Sequence, residues 1–593
     1  MSVSSITTEK GKLFSGKFLA NLPTLLMTSL STFIIITTDS WVVSTFAGRD
    51  ALAAIGMVAP FSLISCIIVN ILLQGIPACL VYAMGKNDPS EVNRTLCASY
   101  RLKYWGAILT TLFQIPLAFA ILNSYETSPE ILRMAWIYAI GIMVGAPFGL
   151  YSTLGMYELQ SYGKLKSILS LTLFEGILNL LLDLLFSWLT GEAITGVTLG
   201  TLVATICRCV LTVWYQRRHT DVFKFEPVPC WSKMVEVIKI GFSNGLMVGM
   251  LGLQNWLMTW LVSKELSDSG LAARSVCILG LSVAMIIITS ISTNTRMLTG
   301  LLYGAGNHEG ARLIRRRSLA YIGLFVGLLT TLILIYPESL FYFYGYDTVD
   351  ELDKEALRIF SLFFPLTGFI NVYVAFFNSH LRPKIATMIV VLNNAVILIP
   401  LALLMSYFTD GNGIWWSYPI SAGLTLIITL YIVLKNYRQH NKEQEKNLYI
   451  TIKPNDGCEC SMMVTDHLEE NGVSKQLAYR AGMLVEEICG KMASTDERIH
   501  TDIELYVGCE SINKVVIVLF DNGKKLNTKF DSTIGNQMQK LQNKTMDERI
   551  ESLDEILKDD LGLAELTAKK VNHSWVWGMN YVTINLEEND EKS

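Results

Sequence analysis

Charged residues are scarce in this sequence. Asp, Glu, Lys and Arg make up 17% of the 593 residues, whereas soluble globular proteins contain about 25%. The shortage is confined to residues 1–440, of which 12% are charged, because residues 441–593 reach 30% with a net charge of −10. This division excludes a wholly soluble or wholly disordered chain and predicts a membrane part followed by a soluble, acidic tail.

The sequence also lacks the cysteine spacing of zinc sites and disulfide scaffolds. Its eleven cysteines are odd in number, scattered along the chain and nowhere arranged as Cys-x-x-Cys. Cys458 and Cys460 in the tail are therefore expected to be reduced thiols. We predict that the protein requires no cofactor and has no nucleic-acid partner.

Apolar runs of membrane-spanning length recur before residue 440. A helix that crosses a bilayer needs about 20 apolar residues, and a buried soluble core would not contain so many runs of this length. We expect twelve spans, near residues 18–47, 52–83, 95–122, 131–151, 165–189, 192–216, 236–264, 270–303, 317–344, 355–379, 384–409 and 412–436.

The charges of the short loops predict how these spans are oriented. Every second loop is rich in basic residues, for example Arg312, Arg315, Arg316 and Arg317, and the loops between them are not. The positive-inside rule then places both termini in the cytoplasm. We expect a multi-pass protein of the plasma membrane.

The membrane part contains an internal repeat. The segment Tyr82–Asp88 (YAMGKND) returns 221 residues later as Tyr303–Glu309 (YGAGNHE). An even number of spans separates the copies, which predicts two parallel six-helix lobes, a construction typical of transporters that alternate access between two bundles. The expected segments are an N-terminus at 1–17, lobes at 18–216 and 236–436 joined by a linker at 217–235, a second linker at 437–450 and a tail domain at 451–593.

Carboxylates inside apolar spans are costly and usually mark functional sites. Asp39 in the first span and Asp183 in the fifth both lie far along helices that start in the cytoplasm, so we expect them in the outer half of the membrane. Glu175, Asn179 and Asp183 follow at intervals of four residues and share one helix face. Such a set suits a monovalent cation or a shared proton, and the alternative is a buried hydrogen bond that joins helices.

Several residues in and around the first six spans follow a recognisable order: Pro23, Asp39, Gly48 to Gly56, Pro60, Gly85 to Asp88, Asn179-x-x-x-Asp183 and Gly196 to Thr201. This order resembles the multidrug and toxic compound extrusion (MATE) transporters over about residues 1–440. The resemblance implies a non-enzymatic antiporter that exports small organic, mainly cationic, solutes in exchange for Na⁺ or H⁺. It also implies a cation site at Asp39, Asn179, Asp183 and Thr201, with Thr198 as the rival hydroxyl and Glu175 as an additional intramembrane acid.

The tail alternates strand and helix patterns, which predicts an α+β domain. Strands are expected at 449–452, 503–507, 515–520 and 580–585, and helices at 476–492 and 544–557. The whole chain is therefore predicted to be a polytopic α-helical membrane protein with about twelve transmembrane helices and a cytoplasmic α+β domain at its C-terminus.

A helix that carries Glu487, a strand that ends in Asp521-Asn-Gly523 and a later Leu-Gly562-Leu resemble the GHKL (histidine-kinase-type) ATPase fold, especially its anti-sigma-factor kinase branch. The resemblance implies that Asp521 and Gly523 contact adenine, Glu487 serves the metal and Gly562 belongs to the phosphate lid. The metal-orienting Asn expected four residues after Glu487 is Lys491. This difference weighs against ATP and Mg²⁺ chemistry and favours a tail that regulates the transporter or binds a cytoplasmic protein.

Two other functions fit parts of the sequence. A lipid-linked saccharide flippase of the same superfamily would need more basic residues along its central cavity than Arg208 and Arg296 supply. A membrane-anchored signalling protein would instead use the tail as an anti-sigma-like regulator and the membrane helices as a sensor.

Overall fold

The first lobe of the protein consists of six long helices. The computed structural model describes residues 10–46, 48–124, 128–219, 228–343, 349–408, 413–444, 447–493, 502–526, 561, 564 and 567–587. The helices of the first lobe are α1 (Lys12–Phe46), α2 (Gly48–Gly85), α3 (Pro89–Leu122), α4 (Pro129–Ser161), α5 (Leu165–Thr190) and α6 (Ala193–His219). We call the end of the lobe at which α1 begins the tail-side end.

The second lobe begins with α7, which is helical over Trp231–Gly304 and contains two membrane-length spans, Trp231–Leu266 and Ala273–Gly304. Gly241 in the first span and Gly300 in the second both lie against residues 71–81 of α2, so α7 turns back on itself between the spans. The remaining helices are α8 (His308–Ile335), α9 (Glu338–Phe343), α10 (Glu351–Ser361), α11 (Phe363–Ser379), α12 (Pro383–Val391), α13 (Leu398–Phe408) and α14 (Ile414–Gln444), with a π-helical turn at Leu392–Val396.

The described residues contain twelve segments that are long and apolar enough to cross a membrane, which confirms the predicted number. The ninth span was placed too far along the chain, at 317–344, because three arginines precede its apolar run. In the structure this helix begins at His308, since the Asn307 side chain caps it by accepting a hydrogen bond from Gly310 N at 2.8 Å. Arg315 lies within the helix and stacks over the ring of Phe376.

Glycines allow the two lobes to approach closely in their tail-side halves. A Cβ atom on Gly75 of α2 would lie 2.1 Å from the carbonyl oxygen of Val237, and one on Gly241 of α7 would lie 1.8 Å from that of Ile71. No side chain fits either position without moving a backbone. Helices in lipid associate through such small residues because the hydrophobic effect does not drive them together.

The two copies of the internal repeat meet where α2 and α7 end. Cβ atoms on Gly85 and Gly304 would each lie 2.8 Å from the Cα atom of the other glycine. The equivalent tyrosines of the repeat, Tyr82 and Tyr303, have ring centroids 6.1 Å apart beside this crossing. The repeat therefore marks the junction of the two lobes at the tail-side end.

The tail contains one antiparallel sheet. Its strands are β1 (Leu448–Ile452), β2 (Ile503–Ser511), β3 (Lys514–Asp521), β4 (Lys570–Val576) and β5 (Met579–Glu587), in the order β1-β2-β3-β5-β4. Two helices, α15 (Gly457–Glu470) and α16 (Lys475–Ala493), share a hydrophobic core with one face of the sheet. The sequence analysis did not predict α15 or β4, and the helix predicted at 544–557 lies outside the described residues.

The other face of the sheet packs on the tail-side end of the membrane helices. The ring of Phe520 lies edge-on to Phe14 of α1, with centroids 5.0 Å apart, and it stacks on Tyr581 at 4.3 Å. These residues belong to the same hydrophobic cluster as the ends of the membrane helices. We call this side of the sheet the docking face, made up of Tyr449, Glu504, Tyr506, Phe520, Tyr581 and their neighbours on the same side.

A carboxylate on the docking face caps helix α1. Glu504 Oε1 accepts hydrogen bonds from the backbone N–H groups of Leu13 at 2.8 Å and Phe14 at 3.3 Å, and Oε2 accepts one from the Tyr449 hydroxyl. The first N–H groups of a helix have no partner within it. Gly11, which precedes the helix, has no side chain to supply one, so the tail provides the acceptor.

The burial of Glu504 predicts that docking depends on pH. Burial raises the pKa of Glu504 to about 7, although its hydrogen bonds from Tyr449, Phe14 and Leu13 and the charge of Arg317 oppose this shift. An exposed glutamate has a pKa of about 4.3, so the docked tail holds a proton that the released tail gives up. Docking is therefore favoured as the pH falls through 7, by about tenfold between about pH 8 and about pH 6.

This dependence is measurable as the distance between spin labels at Arg94 and Tyr479, two exposed residues on α3 and on the tail helix α16. The exposed cysteines Cys66 and Cys458 are replaced by serine in the labelled chain. The docked fraction is expected to rise on acidification, and Glu504→Gln is expected to abolish the rise. A docked fraction that falls on acidification would contradict the prediction.

Candidate functional site

Close packing of α6 on α5 builds the site predicted to bind a cation. A Cβ atom on Gly200 of α6 would lie 2.1 Å from Asp183 Oδ1, and one on Gly196 would lie 2.3 Å from the backbone nitrogen of Ser187. The two glycines are four residues apart and lie on one face of α6. This face lies directly against the Asp183 side of α5.

Asn179 connects the members of the site. Its Nδ2 atom donates a hydrogen bond to Thr201 Oγ1 at 3.1 Å and a longer one to Asp183 Oδ1 at 3.5 Å. Asn179 is 2% exposed and Asp183 is fully buried. The other amide atom of Asn179, Oδ1, accepts no hydrogen bond from any described residue, so a buried oxygen is available to a ligand.

The structure distinguishes between the two candidate hydroxyls. Thr201 accepts the hydrogen bond of Asn179, whereas the Thr198 hydroxyl donates to the carbonyl oxygen of Ile194 in its own helix at 2.7 Å. The Thr198 methyl group lies against Gly141 of α4. The geometry therefore places Thr201 in the site and turns Thr198 away from it.

Asp39 is the remaining predicted ligand, and its side chain lies outside the described part of the structure. Its helix, α1, contacts α5 where a Cβ atom on Gly176 would lie 3.0 Å from Ile35. Both helices run away from the tail-side end. Residue 39 is four positions beyond Ile35 and Asn179 is three beyond Gly176, so the backbone of residue 39 lies at about the depth of Asn179.

Glu175 lies on the same face of α5, but it forms an ion pair. Its Oε2 atom lies 2.7 Å from a terminal nitrogen of Arg208, which also donates to the hydroxyls of Ser152 and Thr153. This network joins α4, α5 and α6 and neutralises the carboxylate. The available signal was depth, since Glu175 is 10 residues after the start of α5 and Arg208 is 11 before the end of α6.

A second buried ion pair was also missed. Lys103 and Glu158 are both fully buried and contact each other, and Glu158 accepts further hydrogen bonds from Ser99 and Gln216. Buried charges are tolerated when they are paired and hydrogen-bonded in this way. This pair therefore has a structural explanation that the Asn179 site does not have.

Arg296 brings a positive charge to the junction of the lobes. This side chain of α7 donates a hydrogen bond to Gln74 Oε1 of α2. Both residues lie in the tail-side halves of their helices, close to the crossing at Gly85 and Gly304. An anionic group that entered between the lobes would meet this guanidinium.

The predicted nucleotide residues of the tail are occupied by contacts within the domain. Asp521 Oδ1 accepts hydrogen bonds from Gly523 N at 2.8 Å and Asn580 Nδ2 at 3.0 Å, and Glu487 forms an ion pair with Lys491 at 3.2 Å. Gly562 lies outside the described residues. Among the residues that the structure describes, no group of three or more His, Cys, Asp or Glu side chains is placed to hold a metal ion.

A family comparison identifies the membrane part. The MatE family model matches residues 23–185 and 246–404, which together make up more than half of the chain. The chain belongs to the MatE family. Each matched segment falls in one of the two lobes, and the second ends before the tail begins.

Individual relatives agree with this assignment. The FAD transporter of Shewanella oneidensis is 23% identical over 401 residues, which cover 65% of this chain and 87% of that protein. The probable multidrug resistance protein NorM of Rhizobium meliloti is 24% identical over 277 residues, 44% of this chain and 57% of its own length.

Solved structures share the fold. A MATE transporter in complex with MaL6 superposes with a TM-score of 0.68 at 18% identity, covering 74% of this chain and all of that one. A MOP superfamily transporter from Pyrococcus furiosus, described as having a binding pocket of reverse polarity, gives a TM-score of 0.66 at 17% identity, covering 72% of this chain and 96% of its own.

Replacing Gly200 by alanine is expected to damage the site. The added methyl group would overlap Asp183 Oδ1 and lie 2.7 Å from the backbone nitrogen of Asp183, and such overpacking costs about 1–3 kcal/mol. Thermal unfolding and transport of the purified chain are the measurements. Gly327→Ala in α8 is the control because its Cβ atom would meet nothing within 4 Å. Equal effects of the two variants would contradict the packing argument.

Proposed function

We propose that this protein exports small organic solutes across the plasma membrane by antiport, driven by a cation that binds at Asn179, Asp183 and Thr201 together with Asp39. The observation that carries the proposal is the buried Oδ1 atom of Asn179, which no described residue satisfies, next to the fully buried carboxyl group of Asp183. Membership of the MatE family supports it, as does the multidrug-resistance name of the Rhizobium meliloti relative.

The chemistry of the site favours Na⁺ over a proton. A carboxylate, an amide oxygen and a hydroxyl oxygen are hard ligands that suit a cation of this kind. A proton would bind to a carboxylate alone and would leave the Asn179 oxygen unsatisfied, whereas a metal ion would use both. The cation thus supplies the buried partner that this oxygen lacks.

Antiport follows if the cation and the solute stabilise different arrangements of the lobes. A ligand shifts a conformational equilibrium only by the difference between its affinities for the two states. The site has one member on α1, two on α5 and one on α6, so a cation bound there would tighten the packing of three helices in the first lobe. The solute, bound between the lobes, would favour the other arrangement.

Loss of the site should abolish coupling to the ion gradient. Asp183→Asn and Asn179→Ala are each expected to lower ion-driven efflux by about tenfold or more, the loss expected when a bound cation loses one ligand or its charge. Efflux of a fluorescent organic cation from proteoliposomes is measured with Na⁺ and pH gradients imposed separately.

Thr198→Val is the matched control, because this hydroxyl bonds only its own helix among the contacts described above, whereas Thr201→Val should weaken Na⁺ dependence. Unchanged efflux by an Asp183→Asn protein that inserts and unfolds like the parent would rule out the proposed site. Dependence on the pH gradient alone would transfer the coupling role to the proton.

A second candidate substrate class is anionic, and Arg296 is the observation that favours it. The Shewanella oneidensis relative is named as an FAD transporter, and FAD carries a pyrophosphate that a guanidinium group binds well. For such a substrate, Arg296→Gln is expected to reduce transport of FAD about tenfold or more and to spare transport of an organic cation. FAD transport that is unchanged by this substitution would exclude the anionic class.

We infer that the tail lies in the cytoplasm and regulates the transporter without catalytic activity. The basic loops lie on the side of the membrane at which the tail docks, which supports the orientation. The contacts of Asp521 with Gly523 and Asn580, and of Glu487 with Lys491, favour a GHKL-like fold used for regulation. Nucleotide binding stays a prediction from resemblance.

A further inference from the structure

The turn that ends the first copy of the repeat contacts the tail through several hydrogen bonds. Asn87 Nδ2 donates to the backbone oxygen of Asn572 at 2.9 Å and to Thr583 Oγ1 at 3.2 Å. The hydroxyl of Tyr581 donates to the carbonyl oxygen of Gly85. All of these groups except Gly85 and Asn87 belong to β4 or β5, so this edge of the docking face is bound to the first lobe.

The turn that ends the second copy of the repeat also contacts the tail. A Cβ atom on Gly306, between α7 and α8, would lie 3.8 Å from the ring of Tyr506. Tyr449 lies beside Asn307, and its hydroxyl donates to Glu504, which caps α1 of the first lobe. The β1–β2 edge of the docking face therefore reaches the second lobe, and the sheet as a whole spans the junction.

Trp577 anchors the sheet in a specific position. It lies in the two-residue turn between β4 and β5, and its φ angle of 55° is in the left-handed region that side chains other than glycine rarely adopt. Its indole N–H donates to the carbonyl oxygen of Ser161 at 2.7 Å, its ring fills the space beside Gly163, and Lys17 donates to its carbonyl oxygen. Such a conformation persists only where contacts compensate for it.

The tail covers the place where the lobes touch each other. Gly85 and Gly304 cross there at the closest approach of α2 and α7, and the turns that follow them are the ones that bind the docking face. A transporter that alternates access has to separate its lobes at this end in one half of its cycle. Separation would pull the two turns apart, while the sheet holds both of them.

We propose that the tail is a releasable clamp: docked as in this structure, it holds the tail-side ends of the two lobes together, and the lobes part there only after the sheet has left at least one of them. The clamp itself concerns the distance between the lobes, and only its effect on transport rests on the proposed function. Because docking takes up a proton at Glu504, the clamp tightens when its surroundings become acidic.

Weakening the anchor should open the tail-side end. Spin labels at Arg94 and Lys384, exposed residues near that end on α3 and α12, report the distance between the lobes in the full chain reconstituted in nanodiscs. Trp577→Ala is expected to raise the population with a longer distance about tenfold or more. Trp575→Ala is the matched control, since this tryptophan is 40% exposed and lies two residues away on the opposite face of β4.

Tyr581→Phe removes only the hydroxyl that bonds Gly85, and it is expected to act in the same direction with a smaller effect. It keeps the test decisive if Trp577→Ala does not fold. The label pair at Arg94 and Tyr479 shows independently whether the tail has left the lobes. A tail that is released while the distance between the lobes is unchanged would overturn the proposal.

Covalent attachment of the tail should have the opposite effect. Lys12 and Asp502 form an ion pair at 3.4 Å between α1 and the start of β2, so cysteines at these positions can be joined by a short, cleavable thiol cross-linker. The longer lobe distance is expected to disappear and efflux to stop, and cleavage of the linker should restore both. Efflux that continues with the linker intact would overturn the clamp. If the lobe distance responds but no variant transports any solute, the clamp stands and the proposed function fails.

Discussion

The structure depends on close contact between helix backbones, which glycine permits. Lipid removes the hydrophobic advantage of bringing two apolar helices together, so their association relies on packing and on polar contacts. Gly75 and Gly241 bring the lobes together, and Gly85 and Gly304 place the two repeat turns side by side. Gly200 seats α6 against Asp183 in the same way. The lobe junction, the cation site and the surface on which the tail docks all follow from this one constraint.

Pairing separates the structural acids of the first lobe from the functional ones. Glu158 is bound by Lys103 and Glu175 by Arg208, so each buried carboxylate has a basic partner within the protein. A pair of this kind costs desolvation but leaves no charge unmatched. Asn179 is different, because one of its buried atoms has no partner among the described residues. An unsatisfied buried oxygen is the stronger sign of a ligand site, since the fold has no use for it.

Local patterns were sufficient for the spans, the repeat and the α5 part of the site, because apolar length and the four-residue spacing of Glu175, Asn179 and Asp183 are properties of the chain itself. Choosing Thr201 over Thr198 required the rotation of α6 about its axis, which its glycines set. The pairing of Glu175 with Arg208 depended on helices packing side by side. The cap that Glu504 places on α1 joins residues 491 positions apart, and no local pattern contains it.

One feature of the tail sequence does anticipate its docking. The strand from Val515 to Phe520 is apolar at every position, whereas a sheet with one face in water alternates apolar and polar residues. Ile517 and Leu519 face the tail helices, while Val518 and Phe520 belong to the hydrophobic cluster of the membrane part. A released tail would expose that second apolar face to water. Release of the clamp is therefore opposed by the hydrophobic effect as well as by hydrogen bonds, and a partner that covers this face would hold the lobes free.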